Sequence, residues 1–283
     1  MKEMDKREMG AWSIGQQQNI SPQHTRYVYK KYKDMKDPVL KKPGRKPKEI
    51  RENERRVIID IYNEYLVCAT MIEKILKDKG IKISHNKIHK IMLEEGLAKH
   101  EENKQKQRSF CRYQRKHSLS LVHSDWFEYK GWKFILIEDD ASRFITGYGK
   151  FKHATAKNGI KVFKQSLKCG IPKQFHSDNG SVFRAIEADG KKKGECDFEI
   201  VVRKAGVHQI FARVSHPRGN GKAEKLGGTI RKLWIKLGSF KKAVEHYNYK
   251  KPHWALITKE GKLRTPYQAF LDKKRKIKKE VKS

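Results

Sequence analysis

The stretch that decides the fold runs Leu119-Ser120-Leu121-Val122-His123-Ser124-Asp125-Trp126-Phe127-Glu128, then Tyr129-Lys130-Gly131, then Trp132-Lys133-Phe134-Ile135-Leu136-Ile137-Glu138-Asp139. Aromatic and β-branched side chains crowd both outer runs, and Tyr129-Lys130-Gly131 reads as a tight turn between two strands. A third run of the same character, Phe144–Phe151, follows closely. Asp125 falls inside the first expected strand. An acid in the middle of an apolar strand is costly unless it is paired or bound to metal.

Toward the C-terminus the pattern predicts a helix over Ala156–Lys168 and then a short strand ending at Ser177. A second isolated acid follows at once in His176-Ser177-Asp178-Asn179-Gly180. A third, Glu224, lies on a late helix opened by Gly219-Asn220-Gly221. Three such acids, set among polar and glycine residues in a chain with 66 Lys and Arg against 32 Asp and Glu, have the character of divalent-metal ligands. Hard ions select carboxylates, and Mg²⁺ keeps part of its water shell, so a few acids suffice. Each acid alone has a plainer reading: Asp178-Asn179-Gly180 is a common turn, and Glu224 could be an ordinary acid on a helix surface.

Taken together, His123-Ser124-Asp125-Trp126, Ser177-Asp178-Asn179-Gly180 and His216-Pro217 with Gly219-Asn220-Gly221-Lys222-Ala223-Glu224-Lys225 resemble the DDE superfamily of transposases and retroviral integrases. Within it the resemblance is closest to the insertion-sequence transposases of bacteria and archaea. It continues through Tyr247-Asn248, Pro252-His253-Trp254-Ala255-Leu256 and Thr265-Pro266-Tyr267-Gln268-Ala269-Phe270, and so spans about His117 to Asp272. The resemblance implies an α/β, ribonuclease-H-like fold with a mixed five-stranded sheet flanked by helices. It also implies that Asp125, Asp178 and Glu224 meet at one edge of the sheet as catalytic metal ligands. Two Mg²⁺ ions are expected, with Mn²⁺ as a substitute, Asp125 bridging both, Asp178 holding one and Glu224 the other. Water would attack the phosphate at the end of a mobile element, and the freed 3′-hydroxyl would attack target DNA. Asn179, Lys222, Lys225 and Arg231 are the expected DNA contacts around the acids. Asp139 and Asp140, in Asp139-Asp140-Ala141-Ser142-Arg143, are expected to be structural and to cap a turn.

Two departures from the family pattern stand out. The spacing 224 − 178 = 46 is longer than usual, the surplus falling in 186–197, where Gly190-Lys191-Lys192-Lys193-Gly194 reads as an exposed loop. Lys225 stands where many relatives carry Arg; both bind phosphate, though Lys lacks the planar fork.

Upstream, all-α helix-turn-helix modules are expected. Residues 1–36 form the first, with Ser21 as cap, Pro22 at the first helical position, and Gln23, His24 and Arg26 near the start of a reading helix. A plain helical hairpin is the alternative. Residues 37–49 form a basic Pro/Gly linker, in which Pro43-Gly44-Arg45-Lys46-Pro47 resembles a minor-groove hook. Residues 50–100 form a second unit: Ile72, Ile75 and Leu76, then Ile88, Ile91 and Met92, recur at helical spacing, with Gly80 ending one helix and Ser84 capping the next. His85, Asn86, Lys87, His89 and Lys90 fall on outward positions suited to bases and phosphates. Residues 101–117 are a connector or an arm on the phosphate backbone, 118–238 the catalytic core, and 239–283 a helical segment with a basic tail.

The formal charge, 66 − 32 = +34, points to a polyanionic partner. Double-stranded DNA fits, as element terminal repeats and target; a membrane surface does not, because no long basic amphipathic helix is evident. Two ends must be processed together, so a homodimer or larger assembly on DNA is expected. Four scattered cysteines form no C-x-x-C pair, and neither a signal-peptide run nor a spanning apolar stretch is evident. The expected location is cytoplasmic and nucleoid-associated in a prokaryote. Two other functions fit less well. A true ribonuclease H places a further acid on the helix after the third strand, whereas Ala156–Lys168 carries only lysines among its charges. A transposase-derived repressor would be free to lose its acids, and all three are present.

Overall fold

The computed structural model describes residues 9–35, 50–99, 113–185, 196–212 and 221–275. The chain divides into two compact units, 1–49 and 50–283. The expected linker, including Arg45 and Lys46, lies outside the described residues, as do Gly190–Gly194 and His216–Asn220.

The first unit is a helix pair, α1 (Ala11–Gln17) and α2 (Pro22–Tyr32). Ser21 caps α2 as expected, its hydroxyl accepting the His24 N–H at 3.2 Å, with Pro22 in the first turn, where no donor is needed. Gln23, His24 and Arg26 lie on the exposed side of α2, opposite buried Thr25 and Tyr32.

The second unit opens with three helices, α3 (Glu52–Tyr65), α4 (Ala69–Asp78) and α5 (His85–Glu94). They share one core, in which Ile72, Ile75, Leu76, Ile88, Ile91 and Met92 are all buried. Ser84 stands at the start of α5, but its hydroxyl makes no capping bond. The Glu73 carboxylate takes that role from α4, accepting the His85 N–H at 2.9 Å. Arg55 of α3 pairs with Glu94 and Glu95, and Glu54 of α3 with Lys87, so α3 holds α5 near both of its ends.

The sheet has five strands among the described residues: β1 (Val122–Tyr129), β2 (Trp132–Asp139), β3 (Ile145–Phe151), β4 (Gln174–Ser177) and β5 (His208–Phe211). Their order is β3-β2-β1-β4-β5, with β1, β2 and β3 antiparallel and β1, β4 and β5 parallel. This is the mixed, ribonuclease-H-like arrangement expected. Lys130 and Gly131 form a two-residue hairpin turn, both with positive φ (51° and 71°), which matches the twist of the strands they join. β1 begins at Val122, three residues later than the pattern suggested, because Leu119 takes a left-handed φ of 62°. There its N–H donates to Asp139 Oδ1 at 2.7 Å and its carbonyl accepts the Lys173 N–H at 2.8 Å.

Both sheet faces are covered. On one, Val122, Ile135, Ile137 and Phe175 pack with α6 (Ala156–Ser166) and α7 (Asp197–Lys204) through Phe163 and Phe198. On the other, Phe134, Leu136 and Ile145 pack with α8 (Gly221–Leu237) and α9 (Phe240–Glu245). A π-helical turn, His246–Lys250, and α10 (Pro266–Asp272) follow. Asn248 completes edge strand β3, accepting the Ile145 N–H and donating to its carbonyl at 2.9 and 3.0 Å. The three-helix group is fastened to this C-terminal segment. Leu66 packs in both the helical core and the α8 face, the Leu66 carbonyl accepts the Lys251 ammonium at 2.7 Å, and His246 Nε2 meets the Tyr65 carbonyl at 3.0 Å.

Candidate active site

Three backbone relationships place the three acids. β1 and β4 are parallel neighbours, paired Val122 with Phe175 and His123 with His176, an offset of 175 − 122 = 53 residues. The same offset sets Asp125 opposite Asp178 (178 − 125 = 53), just past the last paired residues. Adjacent strands lie about 4.8 Å apart, so the backbone carries the two aspartates past the same end of the β1–β4 pair.

Helix α8 brings the third acid. Lys222 in its first turn reaches Asp140 beside the start of β1, and Arg231 further along donates to the Glu128 carbonyl near the end of β1 at 3.3 Å. Between them Gly227 sits on Phe127 so closely that a Cβ there would stand 3.2 Å from the ring. The helix therefore runs alongside β1 in the same direction. Glu224 lies one turn before Gly227 on the same helix face, and Asp125 lies two residues before Phe127 on the same strand face. Thus the first turn of α8 travels beside Asp125.

The local surroundings of each acid differ. Asp125 and Asp178 are half-buried and Glu224 is exposed. Asp178 Oδ1 accepts the Gly180 N–H at 3.1 Å, and a Cβ on Gly180 would lie 3.1 Å from that same oxygen, so glycine leaves the carboxylate room. Among the described residues no group of three or more His, Cys, Asp or Glu side chains is placed to hold a metal ion. The backbone aligns the acids without gathering their side chains into a ligand cluster.

Behind them lies a buried network. Asp140, fully buried, accepts from His123 Nε2 at 2.9 Å and from the Lys222 ammonium on Oδ1, and from the Arg115 N–H at 2.6 Å on Oδ2. Burial works to raise its pKa, but the three hydrogen bonds outweigh it and hold the carboxyl well below the usual range. Lys222 also lies over the Tyr113 ring at 3.7 Å, and burial lowers its pKa. His123 meets His176 edge-on, ring centroids 5.1 Å apart, and burial draws His176 down to about 4. Asp139 behaves as expected, its Oδ2 accepting from the Ser142 N–H at 2.9 Å and from the Ser142 hydroxyl, which closes the turn. Asp140 does not cap that turn; its carboxylate leaves it for His123 and Lys222.

The expected DNA contacts fall into two groups. Lys225, His85, Asn86, His89 and Lys90 are exposed. Others are engaged within the protein: Asn179 donates to the Ala212 carbonyl at 2.7 Å and accepts from Arg184 at 2.9 Å, and Arg231 packs over Phe127 and Tyr129. Lys222 and Lys87 face Asp140 and Glu54. The His123–His176–Asp140 network was not expected, although the repeat of His-Ser-Asp at 123–125 and 176–178 is visible in the sequence. A cleft lined by Arg115, Lys116, His117, Lys173, His208 and Arg275, with no acid among its lining residues, opens at the far end of β4 from Asp178.

No protein-family model matches the chain. Over 108 residues it is 31% identical to the Pro-Pol polyprotein of feline foamy virus, a match covering 38% of the chain and 8% of the polyprotein. Over 110 residues it is 29% identical to the transposase for transposon Tn552 of Staphylococcus aureus, covering 35% of the chain and 21% of that protein. The chain thus spans a small part of either relative. Among solved structures, the simian T-cell lymphotropic virus intasome in complex with a PP2A regulatory subunit aligns at a TM-score of 0.45 and 15% identity, over 75% of the chain and 74% of its own. The HTLV-2 integrase catalytic core domain in complex with magnesium aligns at 0.40 and 19%, over 56% of the chain and 97% of its own. By its sequence relatives and the order of its sheet, this chain is similar to the transposases and integrases of the DDE superfamily.

Proposed function

We propose that the protein is a DDE polynucleotidyl transferase that binds the ends of a mobile DNA element, cleaves a strand there and joins it to target DNA. The observation that carries this reading is the parallel pairing of His123 with His176, the residues two before Asp125 and Asp178, with α8, which carries Glu224, packed along β1 at Gly227. The donor set suits the implied ion, since three carboxylates with neither sulfur nor imidazole among them select a hard cation that keeps much of its water. Asp125, Asp178 and Glu224 would hold it. A bound Mg²⁺ or Mn²⁺ would supply activation of the attacking oxygen and charge stabilisation on the leaving oxygen.

The remaining work belongs to residues that bind and orient DNA. Lys225, one residue beyond Glu224 and exposed, is placed to take a phosphate next to the cleaved bond. The exposed faces of α2 and α5 carry the side chains for end recognition, and the cationic cleft at the start of β4 adds a phosphate-binding surface. No helix among the described residues is long and apolar enough to cross a membrane. DNA in the prokaryotic nucleoid is the proposed site of action, with two or more copies holding two ends.

The test is strand cleavage and joining on DNA carrying the element's ends, with Asp125→Asn, Asp178→Asn and Glu224→Gln. Each amide keeps the size of the acid and loses the charge that holds the ion, so each variant is expected to bind ends normally and to lose both reactions. Joining near the wild-type rate in any one of them removes that residue from the site. Intact end binding with no reaction in the wild-type chain favours a DNA-binding protein without catalysis.

A further inference from the structure

The residue two positions before each candidate acid belongs to one connected network. His123 precedes Asp125, His176 precedes Asp178, and Lys222 precedes Glu224. On a strand, residues two apart share a face, so His123 stands behind Asp125 on β1, and His176 lies in β4 two residues before Asp178, which follows the strand's end. The two histidines are also register partners across the β1–β4 pair. Lys222 shares the first turn of α8 with Glu224.

One carboxylate joins all three. Asp140 Oδ1 accepts from both His123 Nε2 and the Lys222 ammonium, which ties β1 to α8 through a single atom. The edge-on contact of His123 with His176 extends the tie to β4. Asp140 is itself held from its other sides: its N–H donates to the Leu121 carbonyl at 2.9 Å, and Oδ2 takes the Arg115 N–H. A fully buried carboxylate with three charged or polar donors has one low-energy position, because moving it strands donors that water cannot reach. We propose that Asp140 is a positioning residue, which sets the relative placement of Asp125, Asp178 and Glu224 through His123, His176 and Lys222. This inference rests on the reading of those three acids as the ion-binding site.

The test uses the full chain and reads ion binding as well as activity. Mn²⁺ is titrated into wild type and variants, and free Mn²⁺ is followed by electron paramagnetic resonance well below each variant's melting temperature. Asp125→Asn serves as the reference for a lost ligand, and Val202→Ala, in the buried core under the other sheet face, as the reference for lost stability alone. Asp140→Asn keeps the shape of the hub and removes its charge. Lys222→Met breaks the tie from the less buried end, so it remains informative if Asp140→Asn folds poorly, and Lys222→Arg keeps the cation. The expected result is Mn²⁺ affinity reduced about tenfold in Asp140→Asn and Lys222→Met, largely restored in Lys222→Arg, and unchanged in Val202→Ala. Wild-type Mn²⁺ affinity in Asp140→Asn or Lys222→Met, with binding lost in Asp125→Asn, overturns the role of Asp140 and leaves the site standing. Wild-type affinity in Asp125→Asn, Asp178→Asn and Glu224→Gln alike overturns the site itself, and the positioning role with it.

Discussion

Glu138 shows how a single buried carboxylate can tax this fold. It lies on β2 directly opposite His123, is almost wholly buried, accepts the Tyr247 hydroxyl on Oε1 at 3.1 Å, and has no hydrogen-bond partner for Oε2 among the described residues. Burial pushes its pKa up to about 7, with Arg143 and the Tyr247 hydroxyl partly opposing the rise. The native state therefore holds a proton that the unfolded chain releases near pH 4.5, and stability falls as pH rises from about 4.5 through 7. Glu138→Gln keeps the Tyr247 bond and does not titrate. Urea unfolding at pH 5 and pH 8 should show the wild type losing up to about 3 kcal/mol relative to Glu138→Gln across that interval. Parallel pH dependence in the two proteins would show that Glu138 is charged in the native state throughout. The three candidate acids were legible as residues because each sits in its own compact motif. The hub at Asp140 was not, since its partners His123 and Lys222 lie 17 and 82 residues away and only the folded sheet brings them together.

At the scale of elements, helix α8 depends on how closely it can lie on β1. Gly227 permits that approach, whereas Gly228 faces open space with nothing within 4 Å of its Cβ position. Gly227→Leu should force α8 away from Phe127, lower stability by about 1–3 kcal/mol, and abolish cleavage by carrying Glu224 off β1. Gly228→Ala should raise stability by up to about 1 kcal/mol through helix propensity alone, with cleavage unchanged. Thermal melts and end-cleavage rates on both variants decide this; equal losses in the two would mean that the helix surface, and not its approach to β1, matters. The strands were legible from their apolar, β-branched runs, and the hairpin from Lys130-Gly131. The start of β1 was not, because Leu119 surrenders its strand geometry to bonds with Asp139 and Lys173 that local pattern does not encode. Ser84 was read correctly as the start of α5 and incorrectly as its capping side chain, since Glu73 comes from the neighbouring helix to do that work.

For the whole molecule, a charge of +34 favours contact with any polyanion, so for the proposed DNA substrate specificity is the harder task. The attachment of α3, α4 and α5 to the half that holds the sheet bears on that task. Lys251 and His246 hold the carbonyls at the end of α3, and Lys236 lies over the Tyr62 ring at 4.5 Å, so the three helices form one body with the sheet. Burial lowers the Lys251 pKa to about 8, so its ammonium is mostly charged and bound to the Leu66 carbonyl at neutral pH. With α5 reading bases, as proposed, this attachment acts as a ruler. The distance from the recognised sequence to the cleaved phosphate is fixed by protein geometry and is not left to a tether. Five base pairs inserted between that sequence and the element's tip, about half a turn of the duplex, should carry the cut inward with the recognised sequence, so that a sequencing gel shows cleavage at the old spacing and none at the new tip. A cut that stayed at the tip would mean that the end itself, and not its distance from α5, defines where the strand opens.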